Sequence, residues 1–165
     1  MLQASEFWNY SLNLYEQPGI KSTCLMLQDK FKLNVNLLML CCYLNRLNNK
    51  LPVEGFNALT EAIEDTDLQL QAMRRKRRNS RGTPLYRELL QQELQIEKQQ
   101  QQSLVEQVNQ QELEQRSTDN LLCYLDSQYP RPPEPLIEHL SQLRQIASAG
   151  ETRQENNESD GPLYE

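Results

Sequence analysis

The sequence predicts an all-α protein: a compact helical bundle, then a long polar helix and a short helical return. Apolar side chains recur three or four positions apart through most of the chain, which is the spacing of one face of a helix. No stretch alternates apolar and polar residues long enough to predict a β-strand. The five glycines form no phosphate-binding loop, which excludes a nucleotide-binding βαβ unit.

Three helices are predicted in the first fifty residues. Ser5 is a suitable N-cap for the first helix, and a Pro-Gly pair at 18–19 ends it. The second helix runs from about 20 to 31, and Asn34 caps the third. The middle of the third helix, LLMLCCYL, is apolar on every side, which predicts that it lies at the centre of the bundle.

Two further helices complete the predicted bundle, residues 1–80. Pro52 suits the first position of the fourth helix, whose apolar stripe begins at Val53. Asp65 or Thr66 caps the fifth helix, with Leu68 among its inward-facing side chains. A core of roughly 75–80 residues is near the smallest size that is stable without disulfides or metals.

Residues 83–117 are predicted to form a long glutamine-rich helix. Eleven glutamines fall between 91 and 115, and the apolar seam is interrupted from 99 to 102. Such a segment has high helix propensity but little apolar surface to bury. It is therefore expected to be an exposed arm of coiled-coil type, with a partly disordered linker as the alternative.

Residues 118–149 are predicted to form short helices. Thr118 or Asp119 caps the first of them, and the proline-rich run at 130–135 is extended. A last amphipathic helix has its apolar positions at 136, 140, 143 and 147 and ends at Gly150. Residues 150–165 have no apolar periodicity and are predicted to be a disordered tail.

The charge distribution is uneven. The net charge is −6, yet residues 74–81 carry six basic side chains and no acidic one. An acidic chain repels phosphate over most of its surface, which excludes a general nucleic-acid coat. The longest uncharged run, from 33 to 45, spans 13 residues and is too short to cross a bilayer. Without a signal-peptide pattern, the chain is predicted to be cytoplasmic, with no membrane association.

The basic stripe is the first candidate interaction site. Its members at 74, 77, 78 and 81 share one helix face, which could hold a phosphate backbone or an acidic protein surface. The alternative is that the stripe neutralises the acidic second half of the same chain. No aromatic side chains for base stacking lie near it in the sequence. The stripe comprises Arg74, Arg75, Arg77, Arg78 and Arg81.

A set of polar residues in the bundle is the second candidate. These side chains could line a small pocket, or they could cap helices and satisfy buried backbone groups. We favour capping, because no partner for an acid–base pair has a recognisable spacing. The set comprises Ser11, Gln28, Asp29, Asn34 and Asn36.

The cysteines at 24, 41, 42 and 123 predict neither a metal site nor a nucleophile. They lack C-x₂₋₄-C spacing, and the lone His139 is a poor activating base. Buried, reduced thiols are the simpler interpretation. We therefore predict no catalytic residue, cofactor or metal.

Three motifs in the first half resemble a family of small bacterial all-helical proteins of unknown function. They are FW-x-x-SL-x-x-Y, CL-x-LQD and NVNLL, and the resemblance covers about residues 5–80. It implies a helical fold and a cytoplasmic location, but no activity. The motif positions are Phe7, Trp8, Ser11, Leu12, Tyr15, Cys24, Leu25, Leu27, Gln28, Asp29, Asn34, Val35, Asn36, Leu37 and Leu38.

These observations favour a non-enzymatic cytoplasmic module that binds a protein partner, with the apolar seam of the long helix as its docking surface. The alternative is an RNA- or ribosome-binding protein acting through residues 74–81. A third hypothesis, a small-molecule pocket or enzyme around Gln28, Asp29 and Asn36, requires an open cavity at those side chains. The sequence indicates no oligomeric state.

Overall fold

The computed structural model describes the backbone of residues 1–154 and the side chains of residues 1–149. Within that range the chain forms eight helices and one two-stranded antiparallel sheet, which confirms the all-α prediction. The elements are α1 (Ala4–Tyr15), α2 (Ile20–Phe31), α3 (Val35–Arg46), β1 (Asn49–Lys50), α4 (Val53–Ala62), α5 (Glu64–Asn79), α6 (Leu85–Asn109), β2 (Glu114–Gln115), α7 (Asn120–Gln128) and α8 (Glu134–Gln154).

Helix α3 occupies the centre of the bundle, as its apolar sequence predicts. Every residue from 37 to 44 is buried, and helices α1, α2, α6, α7 and α8 pack around it. Asn34 caps α3 by accepting a hydrogen bond at Oδ1 from the backbone N–H of Leu37 over 2.9 Å. The cap therefore fixes where the central helix begins.

Helix α8 runs antiparallel along α2. The ring of His139, near the start of α8, lies 6.3 Å from that of Phe31 at the end of α2. Its predicted apolar positions, from Leu136 to Ala147, are buried. The helix continues past Gly150 to Gln154, so the predicted start of the disordered tail, at residue 150, is too early. The remaining residues of that prediction, 155–165, lie outside the described residues.

The prediction that the long helix is an exposed arm is wrong. Helix α6 packs on α5, α4, α1 and α3, and Leu104, Val105 and Val108 are buried. Polar members, Glu93 and Gln100 among them, continue its buried stripe where apolar residues stop. The core therefore includes side chains of α6, α7 and α8 as well as those of residues 1–80.

Some local predictions also need correction. Ser5 lies inside α1, whose N-cap is Gln3, because the helix begins at Ala4. Leu68 is 61% exposed rather than inward-facing, since Leu70 is the buried member of α5. Within residues 1–154, none of the helices combines the length and the apolar composition that a membrane-spanning helix requires.

Candidate binding groove

An open groove of about 880 Å³ separates α2 from the hairpin of α5 and α6. Lys21, Leu25, Gln28 and Asp29 form the α2 wall, because positions spaced four, seven and eight apart share one helix face. The floor comes from α1, α3 and the middle of α6. The volume falls within the range of ligand-binding clefts, about 300–1,000 Å³.

The groove brings together the two sets of residues that the sequence analysis treated separately. All five members of the polar set line it, and so do Arg74, Arg77, Arg78 and Arg81. Arg75 is exposed and is not among the lining residues. This convergence follows from the packing of α5 on α6, which places the stripe opposite α2, with Arg78 Nη2 3.8 Å from Asp29 Oδ1.

The deeper arginines of the stripe are neutralised by carboxylates of α6. Arg74 lies 3.4 Å from Glu93 and 3.5 Å from Glu97, and Arg77 also pairs with Glu93. Glu93 is only 6% exposed, so this pairing compensates a charge that has lost most of its hydration. The acceptor Glu93 raises the pKa of the Arg77 guanidinium. Self-neutralisation thus applies to these two members of the stripe.

The outer members of the stripe remain available. Six basic side chains line the groove against three acidic ones, a net charge of +3. Among the described side chains, Arg81 and Arg87 have no carboxylate within ion-pair distance, and the pair of Arg78 is more than half exposed. Exposed pairs of this kind contribute at most about 1 kcal/mol. The rim of the groove is therefore an anion-attracting surface.

Burial raises the pKa of Glu97, and the guanidinium of Arg74 opposes that shift by favouring the carboxylate. Glu93 adds a like charge nearby and raises the pKa further. Both carboxylates are held against arginines rather than directed freely into the groove. The floor therefore carries compensated charge, whereas the rim carries excess positive charge.

Two adjacent glutamines of α6, Gln100 and Gln101, form hydrogen bonds that connect the elements of the groove floor. Asn34 and Asn36 donate hydrogen bonds to Gln100 Oε1 over 3.0 and 2.8 Å, and Gln100 Nε2 donates to Thr66 over 2.9 Å. Gln101 Nε2 donates to Asn36 Oδ1 over 3.1 Å. These contacts join α3, α5 and α6 through side chains that are almost fully enclosed, 0% exposed for Gln100 and 2% for Gln101.

Sequence reasoning missed both glutamines. They fall in the run 99–102, where the apolar seam is interrupted, and the composition alone resembles a solvated helix. One signal was present: 93, 100, 104 and 108 keep the spacing of one helix face through that interruption. Partners distant in the chain satisfy the polar members of that face, so hydropathy cannot identify them.

Aromatic side chains also line the groove, which corrects the expectation that none lies near the basic stripe. They are Trp8, Tyr15 and Tyr86. Lys98 Nζ lies 5.6 Å from the centre of the Trp8 ring, and the Arg77 guanidinium lies 5.7 Å from that of Tyr86. Cations already cover these two rings, which leaves less aromatic surface for stacking.

The thiols lie elsewhere. Cys24, Cys41 and Cys42 are buried and Cys123 is half-buried. None of the four forms a disulfide, and none is among the groove-lining residues. Desolvation raises the pKa of Cys24 to about 12, so this thiol stays protonated and unreactive. No group of three potential metal ligands occurs among the described residues.

Comparison with known families gives a match. A family model described as "Protein of unknown function (DUF2390)" matches residues 6–104, which is more than half of the chain. The chain belongs to this family. The DUF2390 match extends beyond the residues that suggested the resemblance and includes most of α6. No curated protein and no solved structure matches the chain.

The groove lies entirely inside the DUF2390 segment. Its lining residues run from Trp8 to Gln101, whereas α7 and α8 follow the matched region. Helices α7 and α8 pack on α3, α4 and α2, and none of their described side chains lines the groove. The DUF2390 segment alone therefore supplies every side chain of the candidate site.

Proposed function

We propose that the protein is a non-enzymatic cytoplasmic binding module that takes an acidic, partly apolar segment of a partner protein into the groove. The observation that carries the proposal is the net charge of +3 on a lining that also includes apolar side chains. Leu25, Leu90 and Leu94 line the walls between the cations, so carboxylates and apolar side chains of one segment would both find contacts.

The groove replaces the seam of the long helix as the proposed contact surface. Leu104, Val105 and Val108 of that seam are buried in the bundle and cannot meet a partner. The outer arginines, in contrast, are exposed and adjoin the open groove. Charge complementarity at such a rim mainly accelerates association and selects the partner.

Binding, rather than catalysis, is supported by the state of the carboxylates. The carboxylates of Glu93 and Glu97 are paired with Arg74 and Arg77. His139, on α8, lies beside Phe31 of α2 and outside the groove. The cytoplasmic part of the proposal is supported by the four unbridged thiols, which are typical of reducing compartments.

Single-stranded RNA is the second candidate, and the aromatic lining favours it. Trp8, Tyr15 and Tyr86 share the groove with the arginines, the combination that single-strand binders use. One observation favours the protein segment instead. Cations already cover Trp8 and Tyr86, which leaves less aromatic surface for base stacking.

The test is a titration of the chain with a fluorescein-labelled peptide in which glutamates alternate with leucine and tyrosine. Arg78→Glu/Arg81→Glu changes the rim, and Arg75→Glu/Lys76→Glu changes net charge equally at exposed positions outside the groove lining. We expect the first variant to weaken binding about tenfold or more, and the second to change it about twofold or less.

The intrinsic fluorescence of Trp8, the single tryptophan and a groove-lining residue, should change on binding. Equal losses in both variants would show that net charge alone attracts the peptide, and the groove would not be the site. A twelve-nucleotide oligouridylate serves as the RNA probe in the same titration. If the oligouridylate binds more tightly than the peptide, with a steep salt dependence, the groove is assigned to RNA.

A further inference from the structure

The chain itself carries a segment of the chemistry that the groove would accept. Residues 155–165 read ENNESDGPLYE and contain four acidic side chains and no basic one. Leucine and tyrosine near the end of that stretch supply apolar contacts. The groove lining has a net charge of +3 and also includes apolar side chains. The segment and the groove are therefore complementary in charge and in apolar surface.

The direction of α8 determines where the described chain ends, at Gln154. His139 lies beside Phe31, and a Cβ added to Gly19 would lie 3.1 Å from Ile146 Cδ1. The helix therefore runs toward the turn between α1 and α2. Gln154 is eight residues beyond Ile146, which is about 12 Å further along the helix.

The groove is within reach from that point. Tyr15 and Lys21 line it, and both lie next to the turn that α8 approaches. Along α2 the lining runs from Lys21 to Asp29, eight positions or about 12 Å. Eleven extended residues span up to about 36 Å, which is enough to pass over the start of α2 and follow the groove.

We propose that residues 155–165 occupy the groove of their own chain and compete there with the acidic segment of a partner. This inference rests on the proposed function, because it assumes that the groove takes acidic protein segments. It adds regulation: a partner must displace an internal competitor. A tethered competitor acts at an effective concentration in the millimolar range, so even weak contacts suffice to occupy the site.

The experiment compares full-length chains that differ in the charge of this segment. Glu155→Gln/Glu158→Gln/Asp160→Asn neutralises the competitor. Glu61→Gln/Glu112→Gln/Glu138→Gln removes the same charge at exposed positions outside the groove lining. The probe is a fluorescein-labelled peptide with the sequence of residues 155–165, and its anisotropy gives Kd.

We expect the peptide to bind the tail-neutralised chain about tenfold or more tightly than wild type, because the internal competitor is lost. The matched control should bind like wild type. Adding Arg78→Glu/Arg81→Glu to the tail-neutralised chain should abolish binding of the peptide. Equal Kd values for wild type and the tail-neutralised chain would overturn the inference, and so would binding that survives the change at the rim.

The glutamate–leucine–tyrosine peptide, titrated in parallel, separates this inference from the proposed function. If it binds wild type and tail-neutralised chains equally and still requires the rim arginines, the groove function stands and the internal competitor is excluded. If it binds neither chain, both proposals fail. Sedimentation distinguishes occupation within one chain from occupation between two chains. If wild type sediments as a dimer and the tail-neutralised chain as a monomer, the segment binds a neighbouring copy, and occupation within one chain is overturned.

Discussion

Gln101 Nε2 lies 2.9 Å from Ser11 Oγ, although 90 positions separate the two residues in the chain. Ser11 in turn donates to the carbonyl of Phe7 over 3.0 Å. Both side chains are at most 5% exposed and belong to the groove floor. A hydrogen bond between them therefore joins α1 to α6 through side chains that are almost fully shielded from water.

Replacing Gln101 by Ala removes its hydrogen bonds to Ser11 and Asn36 and leaves the buried Ser11 hydroxyl oxygen without that donor. We expect a loss of about 2–3 kcal/mol in the free energy of unfolding, measured in urea. Gln102→Ala is the control, because Gln102 is exposed and bonds only to Glu106 of its own helix. It should change stability by about 0.5 kcal/mol or less. Equal losses would mean that the buried network contributes nothing.

The same network explains what the sequence could and could not predict. Local signals located α2 at its observed bounds, identified Asn34 as a cap and restricted a second cap to Thr118 or Asp119, of which Asp119 caps α7. Both caps act on backbone groups two or three positions away, so local sequence suffices to predict them. Apolar periodicity also identified the buried stripe of α8, from Leu136 to Ala147.

Long-range polar partners were beyond that reasoning. Gln100 is buried because Asn34, Asn36 and Thr66 satisfy it, and none of these lies within 30 positions of it. Without these partners, the sequence of α6 is typical of a solvated helix. The arginines that pair with its carboxylates are then interpreted as unpaired. Nine of the groove-lining residues belong to the two candidate sets named from the sequence, but their meeting in one groove was not predicted.

A second prediction concerns the ion pairs beneath the rim. Glu93→Gln keeps the side-chain volume but leaves Arg74 and Arg77 without their shared carboxylate. Because Glu93 is 6% exposed, we expect a loss of about 2–3 kcal/mol in the free energy of unfolding. Glu88→Gln, at an exposed position of the same helix, should have little effect.

The salt dependence of stability distinguishes a buried ion pair at Glu93 from a solvated one. A buried pair is screened weakly, so the difference between wild type and Glu93→Gln should persist in 1 M NaCl. A difference that vanishes in salt would mean that the pair is solvated and contributes only through long-range charge.

Two glycines of left-handed backbone conformation form a matched pair. Gly19 has φ +89° and a Cβ there would lie 3.1 Å from Ile146, whereas Gly82 has φ +79° and nothing within 4 Å. Gly82→Ala should cost about 1 kcal/mol in the free energy of unfolding, from backbone strain alone. Gly19→Ala should cost more, because Ile146 must also move. Equal costs would show that α8 is not packed closely on this turn.

Thiol accessibility gives a further check on the packing. Cys123 is half-buried, whereas Cys24, Cys41 and Cys42 are buried in the core. Iodoacetamide at pH 8 should therefore modify Cys123 first, slowly because desolvation raises the pKa of this thiol. The other three should react only when the protein unfolds in urea. Mass spectrometry of the native digest would contradict the structure if a buried cysteine reacted as fast as Cys123.

The buried thiols also predict how stability changes in alkali. Burial raises the pKa of Cys24 from 9.0 to about 12, so above pH 9.0 the folded chain keeps a proton that the unfolded chain releases. Since the unfolded state then binds fewer protons, stability falls as pH rises, by about 1.4 kcal/mol per unit for this group. The same desolvation raises the pKa of Cys41, which adds to the loss with the same sign.

Urea midpoints measured by Trp8 fluorescence between pH 8.5 and 10.5 would show this decline. Cys24→Ala lowers stability near pH 8.5 because it leaves a small cavity, but it removes the titrating group. Its stability should therefore fall less steeply with pH than that of wild type. Parallel profiles would mean that the Cys24 thiol ionises equally in folded and unfolded chains, which is incompatible with a side chain that is 0% exposed.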